Sequence, residues 1–198
     1  CLGHTTGHLQ VARNQRVQLA KTAAFHVHRE RWLAQLDDEI AAHEARCIRL
    51  GRVPAVRLNG STDIVWEQFG VPQRHPGTRF YDYTKWGLQY RRDIPDNYHL
   101  TYSLSEAPGS MGRALDWLRA GRNAAVVVAD HTTSRAHARR VAARLVRDGW
   151  GGWPCIDGDA HDIRFYDEPG SWVVLYAKGA ALKDTSGFVW RASAGGAR

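Results

Sequence analysis

The chain has 198 residues, of which 43% are hydrophobic, and this is long and apolar enough for one well-buried core. Its formal net charge is +7, from 27 basic and 20 acidic side chains. It has no apolar stretch long enough to cross a bilayer, no signal-peptide pattern, and only three scattered cysteines. These features argue against membrane-spanning and disulfide-stapled secreted classes, and they predict a cytoplasmic protein.

The first predicted element is helical. Between Arg13 and Leu50, apolar residues recur at helical spacing without proline, which predicts one long or twice-broken amphipathic helix. Gly51 is a plausible helix stop, and residues 54–58 then read as a buried strand.

Strands and helical segments alternate along the rest of the chain. We predict strands at 79–83, 98–103 and 123–129, and helices at 64–69, 85–92, 110–120 and 133–149, the last with a cap at Thr133 or Ser134. Short strands at 155–156, 163–165 and 172–176 predict a β-rich closing segment. The predicted fold class is α/β, either an incomplete βα barrel or an open, mostly parallel sheet.

No linker or change of composition divides the sequence, so we predict a single domain over residues 1–198. Polar clusters follow several of the predicted strands, at residues 57–63, 81–85, 102–106 and 157–162. Ligands bind outside the carboxyl ends of parallel strands, so this pattern predicts a site at that edge.

The first cluster combines a guanidinium, an amide, hydroxyls and a carboxylate around a glycine, with Arg57, Asn59, Ser61 and Asp63 as its candidate ligand-binding residues. It reads equally as a turn with a helix cap. In the second cluster, Asp82 and Lys85 are candidates for proton transfer, although a structural ion pair is the more common use of such residues.

The acidic cluster at 157–162 holds three carboxylates and an imidazole, enough for a hard divalent cation. Asp157 and Asp159 would also serve as turn residues that pair with Lys178, Lys183 or Arg164. Lys183 opens a polar turn that could bring a cation against this cluster or clamp an anion.

Arginines crowd the last predicted helix, at positions 135, 139, 140, 144 and 147. A solvated helix face is the common explanation for such a pattern. The alternative is an electrostatic surface for nucleic acid as a partner.

Long, ordered motifs resemble an uncharacterised bacteriophage protein family related to the mycobacteriophage gene-product-88 type. The motifs span most of the chain, at residues 1–7, 57–67, 80–85, 98–103, 156–159 and 183–188. The resemblance implies host-cell cytoplasm as the location. It also implies a further strand and cysteines just upstream of Cys1, which this sequence lacks, and the chain has Val65 where relatives tend to have proline.

Such a cysteine loop before a strand–helix repeat is similar to the radical S-adenosylmethionine enzymes. By this resemblance Cys1 would be a ligand of a 4Fe-4S cluster, and S-adenosylmethionine would contact Arg57, Asn59, Ser61 and Asp63. The substrate would face a second set of residues, namely Asp82, Lys85, Asp157, Asp159 and Lys183.

Three functions therefore remain open from the sequence. The first is a phage-encoded iron–sulfur enzyme of the radical type. The second is a nucleic-acid-binding accessory protein that uses the arginine-rich helix. The third is a divalent-metal-dependent phosphoryl-transfer or hydrolytic enzyme centred on the acidic cluster.

Overall fold

The structure of the chain is a computed structural model, and it describes residues 12–60 and 62–192. Its strands are β1 (Ala55–Val56), β2 (Arg79–Thr84), β3 (Tyr98–Ser103), β4 (Asn123–Ala129), β5 (Cys155–Asp157), β6 (Trp172–Tyr176) and β7 (Val189–Arg191). They lie in one sheet in the order β1-β2-β3-β4-β6-β5, with β7 paired to β4. The predicted open, mostly parallel α/β sheet is confirmed.

Five helices accompany the sheet in the described part of the chain. They are α1 (Ala12–Val27), α2 (Arg29–Arg49), α3 (Val71–Arg74), α4 (Ser110–Arg119) and α5 (Arg135–Asp148). The predicted N-terminal helical segment is present, and a single interruption at His28 divides it into α1 and α2. None of the described helices is both long and apolar enough to cross a bilayer.

Two local predictions are wrong, and one strand was missed. Residues 163–165 do not form a strand, because Arg164–Tyr166 is a 3-10 turn in which the Arg164 side chain is buried. The predicted helix at 85–92 is reduced to the 3-10 turn Leu88–Tyr90. The strand β7 was not predicted, since three residues are too few for a clear alternation of apolar and polar side chains.

The chain divides into two compact units, residues 1–80 with 93–98, and residues 81–92 with 99–198. In the first unit an aromatic cluster forms the core. The ring of Phe25 meets Trp32 and Trp66 edge-on, with centroids 5.3 and 5.8 Å away, and Trp32 stacks on Trp66 at 5.8 Å. These contacts hold α1 and α2 against the turn that follows β1.

A partly exposed ion pair fixes the other end of the first unit. Asp37 on α2 lies 2.8 Å from the Arg74 guanidinium and 2.9 Å from Nε2 of His75, which follows α3. The Asn97 amide donates to the carbonyls of Pro72, His75 and Thr78. Asp37 and Asn97 therefore fix the segment that leads into β2.

The second unit is built around β4, whose Val/Ala sequence is almost wholly buried. One edge of β4 pairs with β6, whereas its other edge pairs with β3 at 123–125 and with β7 at 127–129. The helix α5 begins at its predicted cap, Ser134, whose hydroxyl accepts from the His137 N–H, and it ends at Gly149 with φ of 78°.

Candidate functional site

Polar side chains meet at the carboxyl ends of β4, β6 and β7 in the second unit. Asp130 follows β4, Tyr176 ends β6 and Arg191 ends β7. The Arg191 guanidinium donates to the backbone carbonyls of Asp130 at 2.5 Å, Leu182 at 3.0 Å and Asp184 at 2.9 Å. Arg191 thereby ties the loops after these strands together and fixes the position of the side chains they carry.

Asp130 orients the imidazole of His137, which lies on the first turn of α5. Its Oδ2 is 2.9 Å from His137 Nδ1, and its Oδ1 accepts the Thr132 hydroxyl at 2.7 Å. The hydrogen bond from Thr132 is the main reason that the pKa of Asp130 is lowered, and His137 adds to it. An aspartate that fixes a histidine in this way leaves the second ring nitrogen, Nε2, available to a ligand.

Each carboxylate oxygen of Asp159 has a partner from β6 or the loop after it. Its Oδ1 lies 2.5 Å from the Lys178 ammonium, and its Oδ2 accepts the Tyr176 N–H at 3.0 Å. The same contact raises the pKa of Lys178. Asp157 accepts the Asp159 N–H, so these carboxylates act here as turn and ion-pair residues.

Two cations surround the ring of Tyr176. The Arg135 guanidinium is 5.5 Å from the ring centroid and donates to the phenol oxygen at 2.9 Å, and the Lys178 ammonium is 4.5 Å from the centroid. The hydrogen bond from Arg135 is the main cause of a lowered Tyr176 pKa. The Tyr176 ring thus keeps these two cationic side chains at the carboxyl edge of the sheet.

An open surface pocket of about 770 Å³ lies beside this group, and we call it the arginine pocket. Its lining residues come from α5 and β6, and they are Ser134, Arg135, Ala136, His137, Arg139, Arg140, Ala143 and Tyr176. A second pocket of about 220 Å³ shares His137 and Arg140 with it and adds Asp130, Val141 and Arg144. Three arginines therefore line the first pocket, and two line the second.

The predicted first cluster lies in a loop of the first unit that is organised around Asn59. The buried Asn59 amide donates to the Ile64 carbonyl, and its oxygen accepts from the Thr62 hydroxyl, the Ile64 N–H and the Trp66 indole. Asn59 therefore organises the turn. Ser61 lies outside the described residues, and the cofactor contacts expected of this loop stay predictions.

The other predicted catalytic residues have different surroundings. Asp82 is fully buried within β2, whereas Lys85 is exposed, with its ammonium 5.3 Å from the Phe188 ring centroid. Lys183 is exposed at the end of the turn Gly179–Lys183. The roles proposed for these three residues in catalysis stay predictions.

Among residues 12–60 and 62–192, no three His, Cys, Asp or Glu side chains lie close enough to hold a metal ion. Cys47 and Cys155 are buried free thiols, and burial raises the pKa of Cys155 to about 11, so it resists forming a metal-binding thiolate. The described residues do not fit an iron–sulfur cluster, and Cys1 lies outside them.

Sequence reasoning missed Asp130, His137 and Tyr176. Asp130 directly follows the purest apolar strand of the chain, and His137 lies three positions after the predicted cap Ser134. A search for polar residues at strand ends and on the first turn of the next helix would have found both.

A model of the Gene product 88 family matches residues 1–192 of the chain. Searches of characterised proteins and of solved structures gave no match.

Proposed function

The chain belongs to the Gene product 88 family, a family of phage gene products, and for this member we propose nucleic-acid binding through the arginine pocket. The observation that supports the proposal is the composition of the pocket wall, which has Arg135, Arg139 and Arg140 around a space of about 770 Å³. Lysines and arginines that neutralise phosphates supply most of the affinity of non-specific nucleic-acid binding.

The charge on α5 is not compensated locally. Arg139 and Arg140 are exposed, and among the described residues neither has a hydrogen-bond or ion-pair partner. Asp148 is the only acid of the helix, and it is already paired with Arg147 at 2.7 Å. These guanidinium groups are therefore available to phosphate oxygens, which match their fork of donors.

The site favours phosphate over bases. Arg135 and Lys178 occupy positions over the Tyr176 ring, so this ring offers little free surface on which a base could stack. We expect binding that is independent of sequence and that weakens steeply with salt.

The test is fluorescence anisotropy with labelled single-stranded and duplex DNA over a range of salt concentrations. The double variant Arg139→Glu/Arg140→Glu should lower the affinity at least tenfold, and each lost phosphate contact should reduce the salt slope by about 0.9 on duplex DNA. The matched control is Arg119→Glu/Arg147→Glu, which makes the same charge change at arginines outside the pocket, each paired with a neighbouring aspartate. Equal losses in both variants, or no binding at low salt, would contradict the proposal.

The iron–sulfur enzyme is a second proposal, which the parallel strand order favours as the scaffold of such enzymes. It depends on the family resemblance and on Cys1. Its test is the iron and acid-labile sulfide content of the complete gene product after anaerobic purification. Several irons per chain would support a cluster, and an iron-free protein would overturn it.

A further inference from the structure

The arginine pocket contains a histidine–aspartate pair that phosphate binding alone does not need. His137 lies on the first turn of α5, and its Nδ1 is 2.9 Å from Oδ2 of Asp130. The other oxygen of Asp130 accepts the Thr132 N–H at 2.9 Å and the Thr132 hydroxyl at 2.7 Å. The carboxylate is therefore held in place by its own loop, and it holds the imidazole ring in one orientation.

The contact with Asp130 determines which ring nitrogen of His137 is free. An ionised carboxylate can only accept hydrogen bonds, so the Nδ1 that faces it carries a proton. The hydrogen bond from the Thr132 hydroxyl is the main cause that lowers the pKa of Asp130, and this favours the ionised form. In the neutral ring the lone pair then lies on Nε2, which has no hydrogen-bond partner among the described residues. Nε2 can therefore accept a proton from a ligand.

Guanidinium groups share the space that the His137 ring lines. Positions 137, 140 and 144 are spaced by three and four residues, which places their side chains on one face of α5. His137 and Arg140 line both pockets, while Arg139 lines the larger pocket and Arg144 the smaller one. A phosphate group bound by Arg140 would thus lie in the same space as the free nitrogen of His137.

A base beside a bound phosphate has a substrate in RNA. RNA carries a 2′-hydroxyl next to each internal phosphate, and this hydroxyl becomes a nucleophile when a base removes its proton. Its attack on the phosphorus adds negative charge to the phosphate oxygens, and positioned guanidinium groups stabilise such charge. The substrate therefore supplies the nucleophile, and the protein needs to supply only a base and positive charge.

We propose that the protein cleaves single-stranded RNA in the arginine pocket with His137 as the general base, an inference that rests on the proposed nucleic-acid binding. Nε2 of His137 takes the proton of a 2′-hydroxyl, and the 2′-oxygen forms a bond to the adjacent phosphorus. The bond between phosphorus and the 5′-oxygen breaks, and its electron pair leaves with that oxygen, which takes a proton from solvent. The products are a 2′,3′-cyclic phosphate and a 5′-hydroxyl, and the imidazolium returns its proton to solvent.

Two kinds of residue support His137 in this reaction. Arg139 and Arg140 bind the phosphate that is attacked, and their charge offsets the charge that develops on it. Asp130 is a positioning residue, because it fixes the tautomer and the orientation of the imidazole without contacting RNA.

The test compares three fluorescent single-stranded probes of one sequence. They are RNA, DNA, and RNA in which every 2′-hydroxyl is methylated, each incubated with the protein in the presence of EDTA to suppress metal-dependent contaminants. We expect only the unmodified RNA to be cut, with fragments whose masses show a 2′,3′-cyclic phosphate. Fluorescence anisotropy should show that all three probes bind, since they share the phosphate charge.

Two variants separate catalysis from binding. His137→Ala should lower kcat at least about a hundredfold, as expected for loss of a general base, and should bind RNA as before. Added imidazole should restore part of its rate. Asp130→Asn should lower kcat at least about tenfold with KM unchanged, because the ring loses the acceptor that fixes its tautomer. The matched control is His131→Ala, which removes an exposed histidine that lines neither pocket and should leave the rate unchanged.

The results that overturn RNA cleavage differ from those that overturn nucleic-acid binding. RNA that binds to the unmodified protein without being cut would remove the catalytic role of His137 and leave the binding proposal intact. Full activity of His137→Ala, cutting of the DNA or methylated probe, or an equal loss in His131→Ala would also overturn the cleavage. Absence of binding to all three probes would overturn both proposals.

Discussion

Charged side chains are largely exposed at one end of β4 and β6 and buried at the other. At the carboxyl end, Asp130 and Asp159 have close partners, and the arginines beside them reach solvent. At the amino end, Arg164 and Asn123 are withdrawn from solvent, and several of their donors are unmet. Exposed charged groups are solvated by water at little cost, whereas buried ones depend on partners inside the fold, such as the carboxylate that Asp167 offers to Arg164. The same substitution should therefore have different consequences at the two ends.

The largest difference should come from replacing one arginine at each end by methionine. Arg164→Met leaves the buried carboxylate of Asp167 without its guanidinium partner and with only the imidazole of His161 at 3.7 Å, so we expect a loss of about 3–5 kcal/mol in the free energy of unfolding. Arg139→Met removes an exposed guanidinium and should change stability by about 0.5 kcal/mol or less. Urea denaturation of both variants measures the difference, and equal losses would break the comparison.

A pH effect of intermediate size should arise at the amino end alone. Burial, with help from the charges of Arg122 and Arg164, lowers the pKa of His99 to about 4. The unfolded chain has a histidine pKa of about 6.5, so it binds the proton first as the pH falls. Stability should therefore decrease between pH 6.5 and 4, by up to about 3 kcal/mol from this residue.

The variant His99→Gln isolates this contribution. Its stability should be measured beside that of the unmodified protein at several pH values between 7 and 4. The gap between the two unfolding curves should change by about 3 kcal/mol over this range. A constant gap would show that His99 titrates normally in the folded protein.

The smallest effect should come from Asp130→Asn at the carboxyl end. The pKa of Asp130 is lowered in the fold, so its carboxylate stabilises the protein above the unfolded pKa of about 4, and this contribution is lost as the pH falls through the folded value. Because Asp130 and His137 are partly exposed, we expect a cost of less than about 1 kcal/mol at pH 7, and this cost should shrink as the pH falls. Thermal unfolding at neutral and at acidic pH would reveal a larger loss if this pair were as well shielded from solvent as Arg164 and Asp167.

The sequence was informative where a local pattern decides the structure. The Val/Ala run of β4, the aromatic β3 and β6, and the Ser134 cap of α5 follow from apolar runs and cap chemistry, and all four were predicted. The buried polar residues at the amino ends of the strands were not predicted, because they are single residues in segments that are far apart in the chain. Arg164 illustrates this, since its flanking Ile163 and Phe165 read as a strand, and only tertiary packing buries its guanidinium.

The edge of β4 that pairs with both β3 and β7 must be completed in two stages as the chain is synthesised. The ribosome makes β3 and β4 before β7. Val127, Val128 and Ala129 therefore gain their partners on this edge only when Val189–Arg191 has emerged. Until then the nascent chain carries an uncovered apolar strand end, open to pairing with another chain. The loops tied by Arg191 are consequently among the last parts of the second unit to be completed during translation.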